Sequence, residues 1–81
     1  MKVPRDLSGT DLAKVLRQFG YEISRQTESH IRLTSNLRGT EHHVTIPSHR
    51  SLKVGTLSAI LADVAAYLER SRDDLLNELF R

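Results

Sequence analysis

The chain has 81 residues, a formal net charge of +2 and no cysteine. This length fits a single domain, which buries roughly two-thirds of the surface that its unfolded chain exposes. The absence of cysteine excludes a disulfide framework and a thiolate zinc site, so the core has to be stabilised by packing.

The charge is unevenly distributed. Residues 1–60 carry nine Lys and Arg against five Asp and Glu, whereas residues 61–81 carry three against five. A basic body with an acidic tail suggests a polyanion on one surface and a different partner on the other. Since no apolar run approaches a membrane span and "MKVPRDLSG" lacks the apolar stretch of a signal peptide, we expect a soluble cytoplasmic protein with no membrane partner.

The first predicted element is a helix over residues 8–19. Ser8 is suited to cap it, Asp11 lies in its first turn, and Gly20 supplies the C-terminal stop. The apolar stripe has the spacing of an amphipathic helix and consists of Leu12, Val15, Leu16 and Phe19.

Three strands follow, because the apolar period changes from helical spacing to two. The inward pairs are Tyr21 and Ile23, Ile31 and Leu33, and Val44 and Ile46. The tight connection "QTE" and the looser "SNLRGTE" predict an antiparallel meander with one apolar face, and Pro47 ends the last strand because proline cannot donate to the ladder.

A second helix is predicted to begin at Thr56 as its cap. Its apolar stripe is Leu57, Ile60, Leu61, Val64 and Leu68. In the tail, Ser71 and Asp74 form another capping pattern, which leaves open whether helix two continues or a third helix begins. The apolar residues of the tail, Leu75, Leu76, Leu79 and Phe80, fit core packing or the docking of a partner protein or a second copy of the chain.

These elements predict an α+β fold with the order α-β-β-β-α, a three-stranded antiparallel sheet and both helices on one face. This is the plan of the double-stranded RNA-binding domain, here with a C-terminal helical extension. We expect one domain over residues 1–81, with a core of about 5–68 and an extension over 69–81.

His30 is the first candidate for chemistry. With Ile31 and Leu33 pointing inward, alternation puts His30, Arg32 and Thr34 on the face that the helices leave open. An imidazole can accept and donate protons near neutral pH, which RNA cleavage by its own 2′-hydroxyl requires. The spacing alone leaves open that His30 is an ordinary polar surface residue.

The loop before helix two is the second candidate. His49, Arg50 and Lys53 precede the backbone N–H groups of the helix start, near Thr56, which predicts either a phosphate cradle or an ordinary helix start. The adjacent residues His42 and His43 point to opposite faces of a regular strand, so they cannot share a metal. We expect no metal site and no cofactor.

Together, "SGTDLAKVLRQFGYEISRQTESHIRL" and "HHVTIPSHRSLKVGTLSAIL" resemble the HicA family of messenger-RNA-cleaving toxins. The resemblance covers about residues 5–61. Its features in order are Phe19-Gly20-Tyr21, Arg25-Gln26, Ser29-His30, Ile46-Pro47 with His49, and Gly55-Thr56-Leu57 with Ile60-Leu61.

The resemblance implies a metal-independent endoribonuclease that a HicB-like antitoxin masks. Carried onto this chain, the catalytic role falls on His30, and His49 matches the second histidine motif in a supporting role. The candidates for RNA or phosphate binding are Ser29, Arg32, His49, Arg50, Lys53 and Thr56. The alternatives are a non-catalytic RNA-binding module and a degenerate toxin that acts as a protein-interaction domain.

Two departures from the family pattern stand out. Glu28 occupies the position before Ser-His where the family usually has glycine, which forfeits the option of positive φ and adds a negative charge beside His30. After helix two the family typically has a glycine break, whereas "ADVAAYLERSRDD" has none, so a longer helix two is expected.

Overall fold

A computed structural model describes residues 6–80 and shows an α+β fold with the predicted element order. The elements are α1 (Gly9–Leu16) with a 3₁₀ turn at Arg17–Phe19, β1 (Glu22–Gln26), β2 (His30–Ser35), β3 (His42–Pro47), α2 (Val54–Leu68) and α3 (Arg72–Leu79). The predicted lack of a signal peptide and the start of the core at residue 5 depend on residues 1–5, which lie outside the described residues.

The start and stop of α1 are those predicted. The Ser8 Oγ accepts a hydrogen bond from the Asp11 N–H at 3.0 Å, and Gly20 ends the segment with a φ of 78°. Gly9 begins the helix where it packs closely against the end of β3, because a Cβ at this position would lie 2.2 Å from the Pro47 carbonyl oxygen. The first turn of α1 is therefore in close contact with the C-terminal end of β3.

The sheet is antiparallel with the order β1-β2-β3, as predicted, so β2 is the central strand. Buried and exposed residues alternate along β2 and β3. The connection between β1 and β2 is Thr27–Ser29, one residue later than the predicted "QTE". A bulge interrupts β1 between Ile23 and Arg25.

Helices α1 and α2 pack on the same face of the sheet. The fully buried core joins side chains of α1, α2, β2 and β3, namely Leu12, Leu16, Ile31, Leu33, Ile46, Leu57, Leu61 and Val64. Strand β1 lies at the edge, outside this cover, and all five of its residues are exposed. Tyr21 is buried as predicted, but Ile23 is 49% exposed because α1 packs over β2 and β3 rather than over β1.

The predicted start of the second helix is wrong. Helix α2 begins at Val54 with Lys53 as its N-cap and without a side-chain cap, so Thr56 lies in the first turn. The loop before it is tied to the N-terminal segment by a hydrogen bond from the Leu52 N–H to the Leu7 carbonyl oxygen at 2.8 Å. This long-range contact fixes the chain at Leu52, four residues before Thr56, the residue that the local signal marks as the cap.

The break after α2 occurs without glycine. Glu69 adopts the left-handed conformation with a φ of 56°, so α2 ends at Leu68 and is not extended. A separate helix α3 follows, capped by the Ser71 Oγ, which accepts from the Asp74 N–H at 3.1 Å. Its apolar residues Leu75, Leu76 and Leu79 are buried in the common core. None of the helices within residues 6–80 combines the length and the apolar character needed to span a membrane.

Candidate nucleic-acid interface

The face of the sheet opposite the helices carries the polar side chains of all three strands. Along β2, His30 and Arg32 are exposed and Thr34 is half-buried, whereas the intervening Ile31 and Leu33 are fully buried on the other face. The cross-strand partners on β3 are Pro47 for His30, Thr45 for Arg32 and His43 for Thr34. The structure therefore places His30 and Arg32 together on this surface, which we call the open face.

His30 is the first residue of β2 and directly follows the hairpin loop. Its backbone N–H donates to the Thr27 Oγ1 at 3.2 Å, and its carbonyl oxygen accepts from the Thr27 N–H at 2.9 Å. The ring Nδ1 lies 3.0 Å from the Ser29 Oγ, and the ring makes no other hydrogen bond within residues 6–80. Backbone and ring are thus both oriented, and Nε2 makes no hydrogen bond to this part of the chain.

The contact with Ser29 allows Nε2 to act in either direction. When Nδ1 carries the proton and donates to the Ser29 hydroxyl, Nε2 is an acceptor and can serve as a base. When the hydroxyl donates to Nδ1, Nε2 carries the proton and can serve as an acid. A hydroxyl is suited to both states because it can donate or accept.

Glu28 does not strain the hairpin. Among the described residues other than glycine, only Asp6 and Glu69 have a positive φ, so the loop does not use the conformation that a glycine here would permit. Glu28 is exposed and makes no hydrogen bond to the His30 ring, which Ser29 holds instead. The glutamate therefore adds a negative charge near His30 without altering the backbone.

The basic loop between β3 and α2 begins beside the hairpin. The Ser48 N–H donates to the Ser29 carbonyl oxygen at 2.9 Å, and the Gly9 N–H donates to the His49 carbonyl oxygen at 3.0 Å. His49, Arg50 and Lys53 are exposed along this loop, whereas Thr56 is half-buried in α2. The backbone thus brings Ser29 and His30 to the start of this loop, and the other candidates follow along it toward α2.

Sequence reasoning did not identify Arg25 as a site residue. The bulge places Arg25 opposite Arg32 on the open face. Simple alternation from Ile23, which lies opposite Leu33, would have put Arg25 on the helix side. The sequence contains no clear signal for the bulge, because an extra residue in a strand is defined by its partner strand.

Four polar groups on the open face form a directed chain of hydrogen bonds across the strands. The Ser24 Oγ donates to the Arg32 carbonyl oxygen at 3.3 Å, and the Thr34 Oγ1 donates to the Ser24 Oγ at 2.9 Å. Since the single hydroxyl proton of Thr34 is then used, the contact of 2.8 Å with His43 requires Nδ1 of His43 to be the donor. The chain fixes the ring of His43, which sequence reasoning had not assigned to the site.

His42 lies on the opposite, helix-covered side, as alternation predicts for adjacent strand residues. Its Nδ1 is 2.6 Å from the Tyr21 hydroxyl, its Nε2 is 3.3 Å from Asp63 Oδ1, and its ring stacks on Tyr67 with centroids 4.6 Å apart. Burial raises the pKa of the Tyr21 hydroxyl far above its usual value, and the neighbouring Tyr67 and Asp63 add to the effect. Tyr21 thus keeps its proton, and its contact with His42 joins the start of the sheet to α2.

Fold and surface together define an α+β domain of the double-stranded RNA-binding type, with an imidazole on the bare side of its sheet and a basic loop beside it. A family model described as "HicA toxin of bacterial toxin-antitoxin" matches residues 9–65, from the start of α1 into α2. The chain belongs to this toxin family, which confirms the resemblance seen in the sequence. Comparison with curated proteins and comparison with solved structures gave no significant match.

Proposed function

We propose that this protein is an endoribonuclease of the HicA type, which cleaves mRNA by histidine acid/base catalysis and is neutralised by a HicB-like antitoxin. The observation that carries the proposal is the oriented imidazole of His30, exposed on the open face with Nδ1 against Ser29 and with Nε2 making no hydrogen bond within residues 6–80. Membership of the toxin family supports the same reading. The substrate is mRNA, so the proposed place of action is the cytoplasm.

The proposed reaction is transesterification within the RNA backbone. Nε2 of His30 removes the proton of a 2′-hydroxyl, the 2′-oxygen forms a bond to the adjacent phosphorus, and the bond from phosphorus to the 5′-oxygen breaks. The proton now on Nε2 passes to the leaving 5′-oxygen, directly or through water, so the products are a 2′,3′-cyclic phosphate and a 5′-hydroxyl and His30 is returned to its starting state. Negative charge grows on the phosphoryl oxygens in the transition state, and a nearby guanidinium stabilises it. Arg32 shares the face of His30, and its charge stabilises the reacting phosphate from the neighbouring position along β2.

The second imidazole of the open face is too far away to act on the same phosphate. His43 is four residues from Pro47, the cross-strand partner of His30, which is about 13 Å along an extended strand. Proton transfer needs the two groups within hydrogen-bond reach of the reacting atoms. We therefore assign proton transfer to His30 and give His49, at the start of the adjoining loop, a supporting role in phosphate or base binding.

The remaining candidates are assigned to RNA binding outside the reacting bond. Arg50 and Lys53 supply positive charge along the loop, and the first N–H groups of α2, including that of Thr56, are suited to accept a phosphate. Ser29 orients the catalytic ring.

The direct test is His30→Ala in purified protein, with cleavage of a transcript and RNA affinity measured side by side. We expect cleavage and growth arrest to be lost while affinity falls by less than a factor of about ten, equivalent to about 1.4 kcal/mol. A melting temperature equal to that of the wild type would show that the fold is intact, since His30 is exposed. Unchanged toxicity in this variant would refute the assignment of His30.

A non-catalytic RNA-binding module is the second candidate, and the basic surface around the open face favours it. Salt-dependent RNA binding by the wild type without any cleavage would establish that function instead. The third possibility, an interaction domain that docks through its tail, is weakened because the apolar residues of α3 are buried against the core. Failure of the protein to bind RNA at low salt would favour the interaction domain again.

A further inference from the structure

The open face contains a pair of like charges that folding does not explain. Arg25 and Arg32 are direct cross-strand partners, and such partners have Cβ atoms about 5 Å apart. Like charges in this arrangement destabilise a sheet. Neither guanidinium forms a salt bridge with any residue in the described part of the chain. Conflicts of this kind, in which a local rule is broken without compensation, concentrate at functional sites.

The β1 bulge creates this pair. Ile23 and Gln26 both line the groove between β1 and α1 on the helix side, although three positions separate them. Ser24 and Arg25 together occupy the step opposite Arg32, and this is what brings the guanidinium of Arg25 to the open face. A regular strand would have turned Arg25 toward the helices and left Arg32 without a charged neighbour on β1.

The bulge is held by the hydrogen-bond chain that starts at His43. Ser24 is the bulged residue, and its hydroxyl is fixed by the Arg32 carbonyl oxygen on one side and by Thr34 on the other. Thr34 is in turn fixed by Nδ1 of His43. An imidazole on β3 therefore fixes, through Thr34, the Ser24 hydroxyl of the bulge that puts Arg25 opposite Arg32 on the same face.

We propose that Arg25 and Arg32 form a phosphate-binding site for single-stranded RNA on the open face, and that His43 is a positioning residue for this site through Thr34 and Ser24. The identification of the ligand as RNA rests on the proposed function, whereas the anion site rests on the geometry alone. Two guanidinium groups side by side bind one phosphate better than either does alone, because each supplies charge-assisted hydrogen bonds.

The site is adjacent to the proposed cleavage site. Arg32 follows His30 by two residues on the same face, which is about 7 Å along the strand. The pair therefore holds a phosphate next to the one that His30 attacks. The three strands span only about 10 Å in the direction across the sheet, a width that suits one nucleic-acid strand lying flat.

Acidic side chains limit the site at its other end. Glu22 is the cross-strand partner of Thr34, and Glu41 Oε2 lies 3.6 Å from Nε2 of His43. Both disfavour a phosphate beyond Thr34. The RNA is thus directed from the arginine pair toward His30 and the basic loop, where Arg50 and Lys53 are exposed.

The test measures RNA affinity as a function of salt in the His30→Ala background, where cleavage does not consume the probe. The probe is a fluorescein-labelled single-stranded RNA oligonucleotide. We expect Arg25→Gln and Arg32→Gln each to weaken binding several-fold at low salt and to reduce the slope of log K against log salt by about 0.7, the value for one lost phosphate contact on a single strand.

Arg17→Gln is the matched control, because Arg17 is an exposed arginine on the helix side of the molecule. This variant should keep the slope of the parent. The reverse pattern, with a reduced slope for Arg17→Gln and an unchanged slope for Arg25→Gln, would place RNA on the helix side and overturn the proposal. A lower melting temperature in Arg25→Gln or Arg32→Gln would also contradict it, because relief of like-charge repulsion should leave the melting temperature equal or higher.

The positioning role of His43 is tested by a double-mutant cycle. His43→Ala should weaken RNA binding when Arg25 is present and have no further effect in Arg25→Gln. His43→Asn should restore binding, since its amide N–H can replace the Nδ1 donor. Equal effects of His43→Ala in both backgrounds would assign His43 a role independent of Arg25 and refute this part.

The phosphate site and the nuclease can fail separately. If the wild type binds RNA through Arg25 and Arg32 without cutting it, the site is confirmed and the nuclease is refuted. If cleavage depends on His30 but the salt slope does not depend on Arg25, the nuclease is confirmed and the site is refuted.

Discussion

The two faces of the small sheet differ in the kind of residue that they carry. On the helix-covered face the strand residues are apolar apart from Gln26, Ser35 and His42, and the Ser35 hydroxyl is satisfied by donating to the Phe19 carbonyl oxygen at 2.9 Å. On the open face, polar and basic residues dominate and two arginines oppose each other. The period of two thus separates the residues that form the core from the exposed residues of the proposed RNA site within the same strand.

His42 and His43 show the same contrast in two adjacent residues. His42 lies between Tyr21, Asp63 and Tyr67 on the covered side. His43 is exposed and is the first donor in the chain of hydrogen bonds on the open face. The same imidazole is therefore a packing element in one position and part of a surface network in the next, and only the face decides which.

The largest expected difference between the faces is in core packing. Leu33→Ala removes a fully buried side chain from the central strand and should lower the free energy of unfolding by about 2–5 kcal/mol, measured by urea denaturation. Thr45→Ala changes an exposed residue of β3 on the open face and should cost less than about 0.5 kcal/mol. Similar losses in the two variants would show that the faces do not differ as described.

The contact between α1 and the end of β3 on the covered face is tested by adding a single Cβ atom at Gly9. Gly9→Ala should destabilise the protein by about 1–3 kcal/mol, because the new Cβ would collide with the backbone oxygen of Pro47. Gly55→Ala is the matched control in α2, where no atom lies within 4 Å of the new Cβ. This control should gain about 0.5–1 kcal/mol from reduced unfolded-state entropy. A neutral Gly9→Ala variant would mean that α1 can move away from the sheet end.

The Tyr21 hydroxyl gives a pH signature of the covered face. Its pKa is raised in the folded state, so its contribution to stability is complete below the unfolded value of about 10 and is lost as the pH rises above that value. The unfolded state then releases a proton that the folded state keeps, and this costs about 1.4 kcal/mol per pH unit.

The fall in stability is measured by thermal or urea denaturation at pH values from about 8 to about 11, on both sides of the ordinary tyrosine pKa. Tyr21→Phe should be less stable than the wild type by about 1 kcal/mol at neutral pH, because the bond to His42 Nδ1 is lost. The difference should shrink as the pH rises above 10. A constant difference across this range would contradict the raised pKa of Tyr21.

Much of the fold was predictable because local signals agree with the tertiary structure. Ser8, Gly20 and Pro47 mark element ends by capping, positive φ and the missing donor, and all three act as predicted. The period of two is enough to put His30 and Arg32 on the same face, because it depends only on the alternation of side chains along one strand. The family resemblance depended on the same residues.

The predictions that failed involve contacts between distant residues. The capping signal of Thr56 is locally sound, but α2 starts earlier because Leu52 is tied to Leu7. Helix α2 ends before Glu69, although no glycine in the sequence marks this position. The Glu69 carboxylate forms an ion pair with Arg38. At the start of α2 a tertiary contact therefore outweighs a local preference of about 1 kcal/mol or less.

The sequence by itself determined the order of the elements, most of the residues that form the core and the accessibility of His30, because periodicity and capping act over a few neighbouring residues. Only the tertiary structure decided that Arg25 meets Arg32 and that His43 holds the bulge between them. Strand register depends on hydrogen bonds to a partner strand, and no pattern along one strand specifies which of its residues will be left over.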